Sequence, residues 1–414
     1  MPSASLPTPA PSPRSPGAAA ILYVGARLPE LSETFVYREL LGLRGRGRRV
    51  LAASVHAPRR FADDPVLAPL AAEALVVYAP ATLAALPLAL LRHPGLAIGA
   101  LGDAARADHP GLSSRLKHVA QALMGLAAGW RLRGEGIGHV HAHMAHVPAT
   151  VALYIARALG ARFSFTGHAA DLFVQRAALA FKLRRAGFVA SISHWHHDFY
   201  GEVAGIAPDR RPVVRCSVAI PEAVADTDAR EIVLVARLVA KKGVDLLLRA
   251  FATAGAEGWT LRILGDGPER AALAALAVEL GITERVIFEG ARPHAACLAA
   301  IAGAGLFVLP CRTAKSGDKD GIPVVLMEAM AAGRAVIAGD LPTIRELVSD
   351  EREGLLVPPD DVAALAAAIG ALAGDPARRA AIGAAARAHV AAEFSDAVNL
   401  DRLTAAIDAA REPA

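Results

Sequence analysis

The sequence predicts an α/β protein built from two doubly wound parallel-sheet domains. Three observations carry that expectation. Short β-branched runs alternate with longer Ala/Leu-rich helical patterns, the alternation breaks at the Pro-containing stretch "GIAPDRRP" (205–212) and then restarts, and 414 residues are enough for two separate cores. Strands separated by helical stretches of this length imply parallel sheets with helices on both faces.

In order, the first series of strands is expected at 20–26, 49–55, 74–79, 139–144, 162–167 and 188–193. The second is expected at 212–218, 231–237, 260–267, 285–290, 305–310 and 335–339. These give a Pro/Ser-rich tail over 1–19, a first domain over 20–205, a second over 206–393, and a final amphipathic helix within 394–414 with Ser395 as N-cap, crossing back to the first domain. Two doubly wound domains place a ligand cleft between them, outside the carboxyl ends of the strands. No internal repeat is visible.

The composition excludes several classes. Hydrophobic residues make up 54% of the chain, but alanine supplies much of that, and the longest apolar run, "APATLAALPLALL" (79–91), is interrupted by prolines and too short for a bilayer. The N-terminal stretch lacks the basic-then-apolar order of a secretion signal. Cys216, Cys297 and Cys311 have no metal-ligand spacing and are odd in number, which suits a reducing cytoplasm. Residues 1–205 carry a net charge of +9 and the remainder −5, giving the chain's +4. A basic first half suits an anionic membrane surface or an anionic acceptor, and a solvated arginine-rich surface fits it equally.

The stretch "GDKDGIPVVLMEAMAAG" (317–333) sets Asp320 and Glu328 around an apolar run. Pro323 suits a first helical turn, so a helix is expected from about Ile322 or Pro323 to Gly333. Asp320 then precedes the helix, and Glu328 lies about 7–8 Å along its axis. Between them are unpaired N–H groups and a partial positive charge, a natural phosphate site. A nucleotide-sugar fits that layout, with its diphosphate on the helix end and hydroxyl-rich pieces at both carboxylates. An acid helping the helix dipole, with an exposed glutamate, fits the same residues. Arg237 ends a strand and Lys242 precedes a helix, so two cations could reach one diphosphate, or simply form a basic loop. Gly265, Asp266 and Gly267 form a turn after another strand, suited to close ligand approach or to plain chain reversal. There is no Walker pattern.

Taken in order, Arg237 with Lys242, "GDGPE" (265–269), "DGIPVVLMEAMAAG" and "IRELV…GLLVPPDD" (344–361) resemble the retaining glycosyltransferases of the GT-B fold, family 4. "ARLPELSETFVYREL" (26–40), "HVHAHMA" (139–145) and "FTGHAADLF" (165–173) are similar to the branch that builds bacterial exopolysaccharides, including colanic-acid-type enzymes. The resemblance covers the chain from about residue 20. It implies two Rossmann-like domains facing across a cleft. Arg237 and Lys242 would then neutralise the donor diphosphate, Glu328 hold the ribose hydroxyls, and Asp320 face the hexose. Gly321, Ile322 and Pro323 would cradle phosphate and sugar, and His168 would contact the hexose near the reacting carbon. Configuration would be retained, the cationic pair stabilising the departing diphosphate. No metal or cofactor is implied beyond a UDP- or GDP-sugar donor as substrate.

Two departures stand out. The family usually has glutamate at position 320, and aspartate withdraws the carboxylate by on the order of 1.5 Å. Ser217 stands where the family mostly has glycine. "DKD" (318–320) is formally an Asp-x-Asp metal signature, but it lies in a loop rather than after a strand. His139, His141 and His143 alternate onto one strand face, where satisfied polar residues are expected rather than zinc, since no neighbouring Cys or carboxylate completes a site. Glu33, His143 and Asp171 are acceptor-side candidates, a helix-start acid fitting Glu33 equally well, and Ser193 is a helix cap.

The expected function is transfer of a hexose to a lipid-linked or polysaccharide acceptor in envelope glycan synthesis. The expected place is the cytoplasm, peripherally at the inner membrane face, with no nucleic-acid partner. A sugar-nucleotide epimerase and a non-catalytic sugar-nucleotide-binding protein are the competing readings.

Overall fold

The computed structural model describes residues 19–30, 33–59, 61, 64–168, 170–225 and 229–410. The expected N-terminal tail therefore lies outside the described residues, except for Ala19. The chain divides into two compact units: 1–191 with 199–212 and 400–414, and 192–198 with 213–399. The division departs from the expected boundaries in three places, one of them 394–399, which stays with the second unit. Residues 206–212 stay with the first unit, and the short segment 192–198 joins the second. The last helix, Asp396–Ala409, belongs to the first unit from Leu400 onward.

The first unit holds β1 (Ala20–Gly25), β2 (Val50–Ser54), β3 (Leu75–Val76), β4 (Ile137–His143), β5 (Arg162–Thr166) and β6 (Phe188–Ala190), in the order β3-β2-β1-β4-β5-β6. Pairing is parallel throughout, with Tyr23 of β1 opposite His141 of β4. β1 is buried along its whole length, as a strand covered on both faces must be. Much of the cover comes from the helix Val147–Leu159, in which nine consecutive residues are buried. The helix Leu112–Leu132 packs against it closely. A Cβ at Gly125 would lie 2.7 Å from the Val151 carbonyl oxygen, so glycine permits the contact.

The second unit repeats the plan. Its strands are β7 (Glu231–Val235), β8 (Thr260–Leu264), β9 (Val286–Gly290), β10 (Leu306–Leu309), β11 (Val336–Gly339) and β12 (Leu355–Val357), in the order β12-β11-β10-β7-β8-β9. Two expectations change here. "GLLVPPDD" supplies a sixth strand, β12, paired in parallel with β11. The run 212–218 is not a sheet strand. Val218 donates its N–H to the Phe394 carbonyl and Arg215 donates its N–H to Asn399 Oδ1, so the segment pairs with 394–399, at the start of the helix Asp396–Ala409, instead.

Each order is that of a doubly wound sheet, in which successive connections leave in opposite directions from two central strands. The switch points are β1/β4 and β7/β10. The loops at their carboxyl ends carry most of the residues singled out from the sequence.

Candidate functional site

In the second unit, β7 delivers Arg237. Its side chain is exposed and makes no ion pair among the described residues. The following 3-10 turn Ala240–Lys242 closes on Gly243, which is left-handed at φ +63° and sits where a Cβ would meet the Pro310 carbonyl. That turn directs Lys242 inward. Its Nζ donates to Asp320 Oδ2 at 2.8 Å, Lys241 Nζ lies 3.3 Å from Asp320 Oδ1, and the Cys311 thiol donates to Asp320 Oδ2 at 3.1 Å. Burial works against every charge here, but the lysines outweigh it. They hold Asp320 below the ordinary carboxylate value, and Asp320 in turn holds Lys242 above the ordinary lysine value. Burial, and then Asp320, pushes the Cys311 thiol well up, so it is inert.

Asp318 pairs with Lys241 at 3.1 Å. The two aspartates of "DKD" are thus matched by two lysines, which leaves little net charge to attract a divalent cation. Thr343 Oγ1 donates to the carbonyls of Asp320 and Gly321 at 3.1 and 3.3 Å, fixing the loop that precedes the helix. Gly321, Ile322 and Pro323 are buried. The helix itself runs Val324–Ala331, with Pro323 extended as its N-cap, one or two residues later than expected. Gly333 follows it at φ +71°, as a helix end requires. Glu328 is the helix's fifth residue, is buried, and takes a hydrogen bond from His294 Nε2 at 2.8 Å.

The Gly265–Gly267 turn has a structural cause that the sequence did not show. A Cβ at Gly265 (φ +140°) would lie 1.8 Å from the Ala236 carbonyl oxygen, and one at Gly267 would lie 2.3 Å from that of Leu238. The glycines let the β8 loop lie against the β7 loop, and Asp266 Oδ1 accepts from the Gly267 N–H at 2.8 Å. Ser217 donates to Asp396 Oδ1 at 2.7 Å, a bond that glycine cannot make.

In the first unit, His143 ends β4 and His168 follows β5. His143 Nδ1 and His168 Nε2 are 3.1 Å apart, and His143 Nε2 is 2.9 Å from Glu39 Oε1. Tyr23 Oη donates to the same Glu39 oxygen at 2.6 Å. A carboxylate does therefore join the alternating histidines, contrary to expectation. Glu39, His141 and His143 bring their ligand atoms within 4.8 Å of one another. His141 is bonded through both nitrogens, to Ser164 and Thr166, and His139 to Ser164. Burial keeps His139 neutral, with its pKa lowered to about 3, and holds His141 well below the ordinary value.

Asp171, an acceptor-side candidate, follows His168 by three residues. Its carboxylate is buried and accepts from the Ala145 N–H at 2.7 Å and the His168 N–H at 3.1 Å. It thereby braces Met144, a non-glycine residue at φ +77° whose N–H bonds the Thr166 carbonyl. Glu33 precedes the helix Thr34–Gly45, and its carboxyl is pushed up to about 7 by burial, with nearby His143 opposing and Glu30 and Asp171 adding. Ser193 caps its helix, accepting from the His196 N–H at 3.2 Å.

Sequence reasoning missed Lys241, Cys311, Thr343, His294, Tyr23 and Glu39. The "AKKG" doublet offered a hint for Lys241, but only the turn decides which lysine points where. Glu39 had no signal, since its histidine partner lies 104 residues away.

Residues 219–389 match the model of the glycosyl transferases group 1 family. This stretch is a glycosyl transferases group 1 domain. The group 1 domain contains Arg237, Lys242, Asp320 and Glu328, and covers most of the second unit. The chain is 38% identical over 163 residues to a GDP-mannose-dependent alpha-(1-6)-phosphatidylinositol monomannoside mannosyltransferase of Mycolicibacterium smegmatis, covering 39% of this chain and 43% of that protein. It is 39% identical over 138 residues to the putative colanic acid biosynthesis glycosyltransferase WcaL of Escherichia coli, covering 33% and 34%. These matches span less than half the length of either relative.

Among solved structures, HepE of Anabaena in complex with UDP-glucose aligns with 94% of this chain and all of its own, at a TM-score of 0.68 and 16% identity. Sucrose-phosphate synthase of Thermosynechococcus elongatus aligns with 93% and 98%, at 0.70 and 17%. Beyond the group 1 domain, then, the fold extends over nearly the whole chain. It is the two-domain α/β fold of GT-B glycosyltransferases.

Proposed function

We propose that this chain is a retaining, metal-independent glycosyltransferase that moves a hexose from a UDP- or GDP-sugar to a lipid-linked or polysaccharide acceptor in envelope glycan synthesis. The observation that carries this reading is the convergence at the β7/β10 switch point of the group 1 domain. Exposed Arg237, Lys242, the Gly265–Gly267 turn, Asp320 and the start of the Glu328 helix all gather there. Arg237 and Lys242 would take the diphosphate, and the first-turn N–H groups beside Gly321, Ile322 and Pro323 would add to its charge balance. Glu328 would take ribose hydroxyls, Asp320 the hexose, and His168 of the first unit the sugar near the reacting carbon. Fixed cations placed where the leaving diphosphate gains charge supply the main electrostatic contribution.

The test is transfer from a panel of UDP- and GDP-hexoses to membrane-extracted lipid acceptors, with product linkage read by NMR. Retained configuration and activity in excess chelator support the reading; inversion, or donor isomerisation without acceptor, rejects it.

An anionic membrane surface is the proposed working place. No described helix is long and apolar enough to cross a membrane, but Pro80–Arg92 and Pro94–Arg106 meet at 101°. They expose Leu83, Leu88, Leu91 and Ile98, the last two at 80% and 71%. Arg92, Arg106 and Lys117 are exposed in the same region. Apolar side chains rimmed by cations suit the interface of an anionic bilayer. Flotation with anionic but not neutral liposomes, lost in Leu91→Glu/Ile98→Glu, supports this; indifference to lipid charge and to those changes rejects it.

A further inference from the structure

Glu328 differs from Asp320 in what holds it. Asp320 is met by two lysines and a thiol. The Glu328 side chain takes a single hydrogen bond among the described residues, from His294 Nε2 to Oε1 at 2.8 Å. Its side chain is nonetheless only 8% exposed. Each carboxylate oxygen has two acceptor positions, and a buried acceptor left unfilled is costly. Cys297 does not fill them. Burial and then Glu328 push its thiol up, and its Sγ donates to the Arg292 carbonyl at 3.8 Å. Oε2 therefore accepts from no described residue, and Oε1 keeps room for a second donor.

His294 is placed by the chemistry of its own loop. Gly290 ends β9 at φ +74°, Arg292 pairs with Glu289 at 2.8 Å, and Pro293 is the N-cap of the helix His294–Gly303. As the first residue of that helix, His294 reaches the fifth residue of the helix Val324–Ala331, 34 positions on. The Nε2–H tautomer and the imidazolium both carry a proton on Nε2, so the bond stands in either state.

We infer that His294 is a positioning residue for ribose recognition: it fixes the Glu328 carboxylate, leaving Oε2 and the second lone pair of Oε1 to accept from two vicinal hydroxyls. The inference rests on the reading of Glu328 as the ribose-holding acid and deepens it. A carboxylate already held in one rotamer loses less freedom when the ligand arrives, and hydroxyl bonds to a carboxylate are of the strong, charge-assisted kind. The pair thus selects a nucleotide with both ribose hydroxyls over its deoxy forms.

The test is calorimetric titration of the full chain with UDP and GDP, with their 2′,3′-dideoxy forms, and with pyrophosphate. The parent is expected to prefer the tighter-binding ribonucleotide over its dideoxy form by about 10–100-fold. His294 is 30% exposed, and His294→Phe keeps a ring while removing the donor. It is expected to cut that preference about 3–10-fold, through the ribonucleotide alone, with pyrophosphate and the dideoxy form bound as before. His294→Gln, whose amide can donate to the same oxygen, is expected to restore most of the preference. A parent that binds both forms alike overturns the inference. So does a folded His294→Phe chain that keeps the full preference, or one that weakens all three ligands equally, as a mere link between two helices would. Loss of the preference in a folded His294→Gln chain overturns it too, and decides the matter where His294→Phe does not fold. Binding of neither ribonucleotide rejects the functional reading and the inference with it; ribonucleotide binding without the expected ratios rejects the inference alone.

Discussion

Lys242 Nζ lies 2.8 Å from Asp320 Oδ2, so two residues expected to grip different parts of a donor grip each other. Both side chains are largely buried. A diphosphate that reaches Lys242 must therefore compete with Asp320, and the second cation, Lys241, remains to balance the aspartate it releases. Asp320→Asn is expected to destabilise the second unit by about 3–5 kcal/mol, because a buried lysine loses its counter-charge. The same change should tighten binding of the free nucleoside diphosphate while lowering transfer. Urea unfolding and calorimetric titration check the two halves. Since the folded pKa of Asp320 lies below its ordinary value, its contribution is present above about pH 4 and is lost as pH falls through the folded value.

Arg237 supplies the opposite case. It is exposed and makes no ion pair among the described residues, so Arg237→Ala should leave stability within about 0.5 kcal/mol. Loss of a cation at the leaving diphosphate is expected to cost transfer about 10²–10³-fold. Steady-state kinetics alongside thermal unfolding separates this from a folding defect, and unchanged kinetics would remove Arg237 from the site.

Glu33 is expected to give the pH profile of transfer an inflection near pH 7, where its carboxyl titrates. Burial disfavours its charge, so it is protonated below that pH and ionised above it. If it faces the acceptor as a base, kcat/KM rises through the inflection, and Glu33→Gln flattens that limb. The linkage to stability has the reverse sense. A carboxyl whose folded pKa is raised favours folding most below its unfolded value, about 4.5, and loses that contribution as pH rises through about 7.

His139 and His141 should make the first unit acid-sensitive. Both have folded pKa values below the unfolded one near 6.5, His139 at about 3, so unfolding takes up protons between those limits. Stability then falls as pH drops from about 6.5 toward 3, by up to about 1.4 kcal/mol per pH unit for each histidine. Urea unfolding between pH 7 and 4 measures the slope. His139→Asn should lower it by one proton's worth.

Much of the fold was legible because it rests on local chemistry. Eleven of the twelve strands among the described residues could be read from β-branched runs between helical patterns, and the helix after Pro323 started within two residues of its expected position. The exceptions lacked a distinguishing local signal. The run 212–218 has strand composition, yet it pairs with 394–399, while "LLV" at 355–357 is short enough to pass for loop until β11 lies beside it.

The site divides in the same way. From its own residues the sequence determined two parallel-sheet units, the glycines and proline that shape the loops, and which charged side chains sit at strand ends, since backbone sterics and periodicity act over a few neighbours. Only tertiary structure decided that Asp320 is held by two lysines, that Asp171 braces a strained turn, and that Glu39 reaches His143 across 104 residues. Those contacts join segments far apart in the chain. Their energies depend on burial and on angstrom-scale distance, and neither quantity exists until the sheets have assembled.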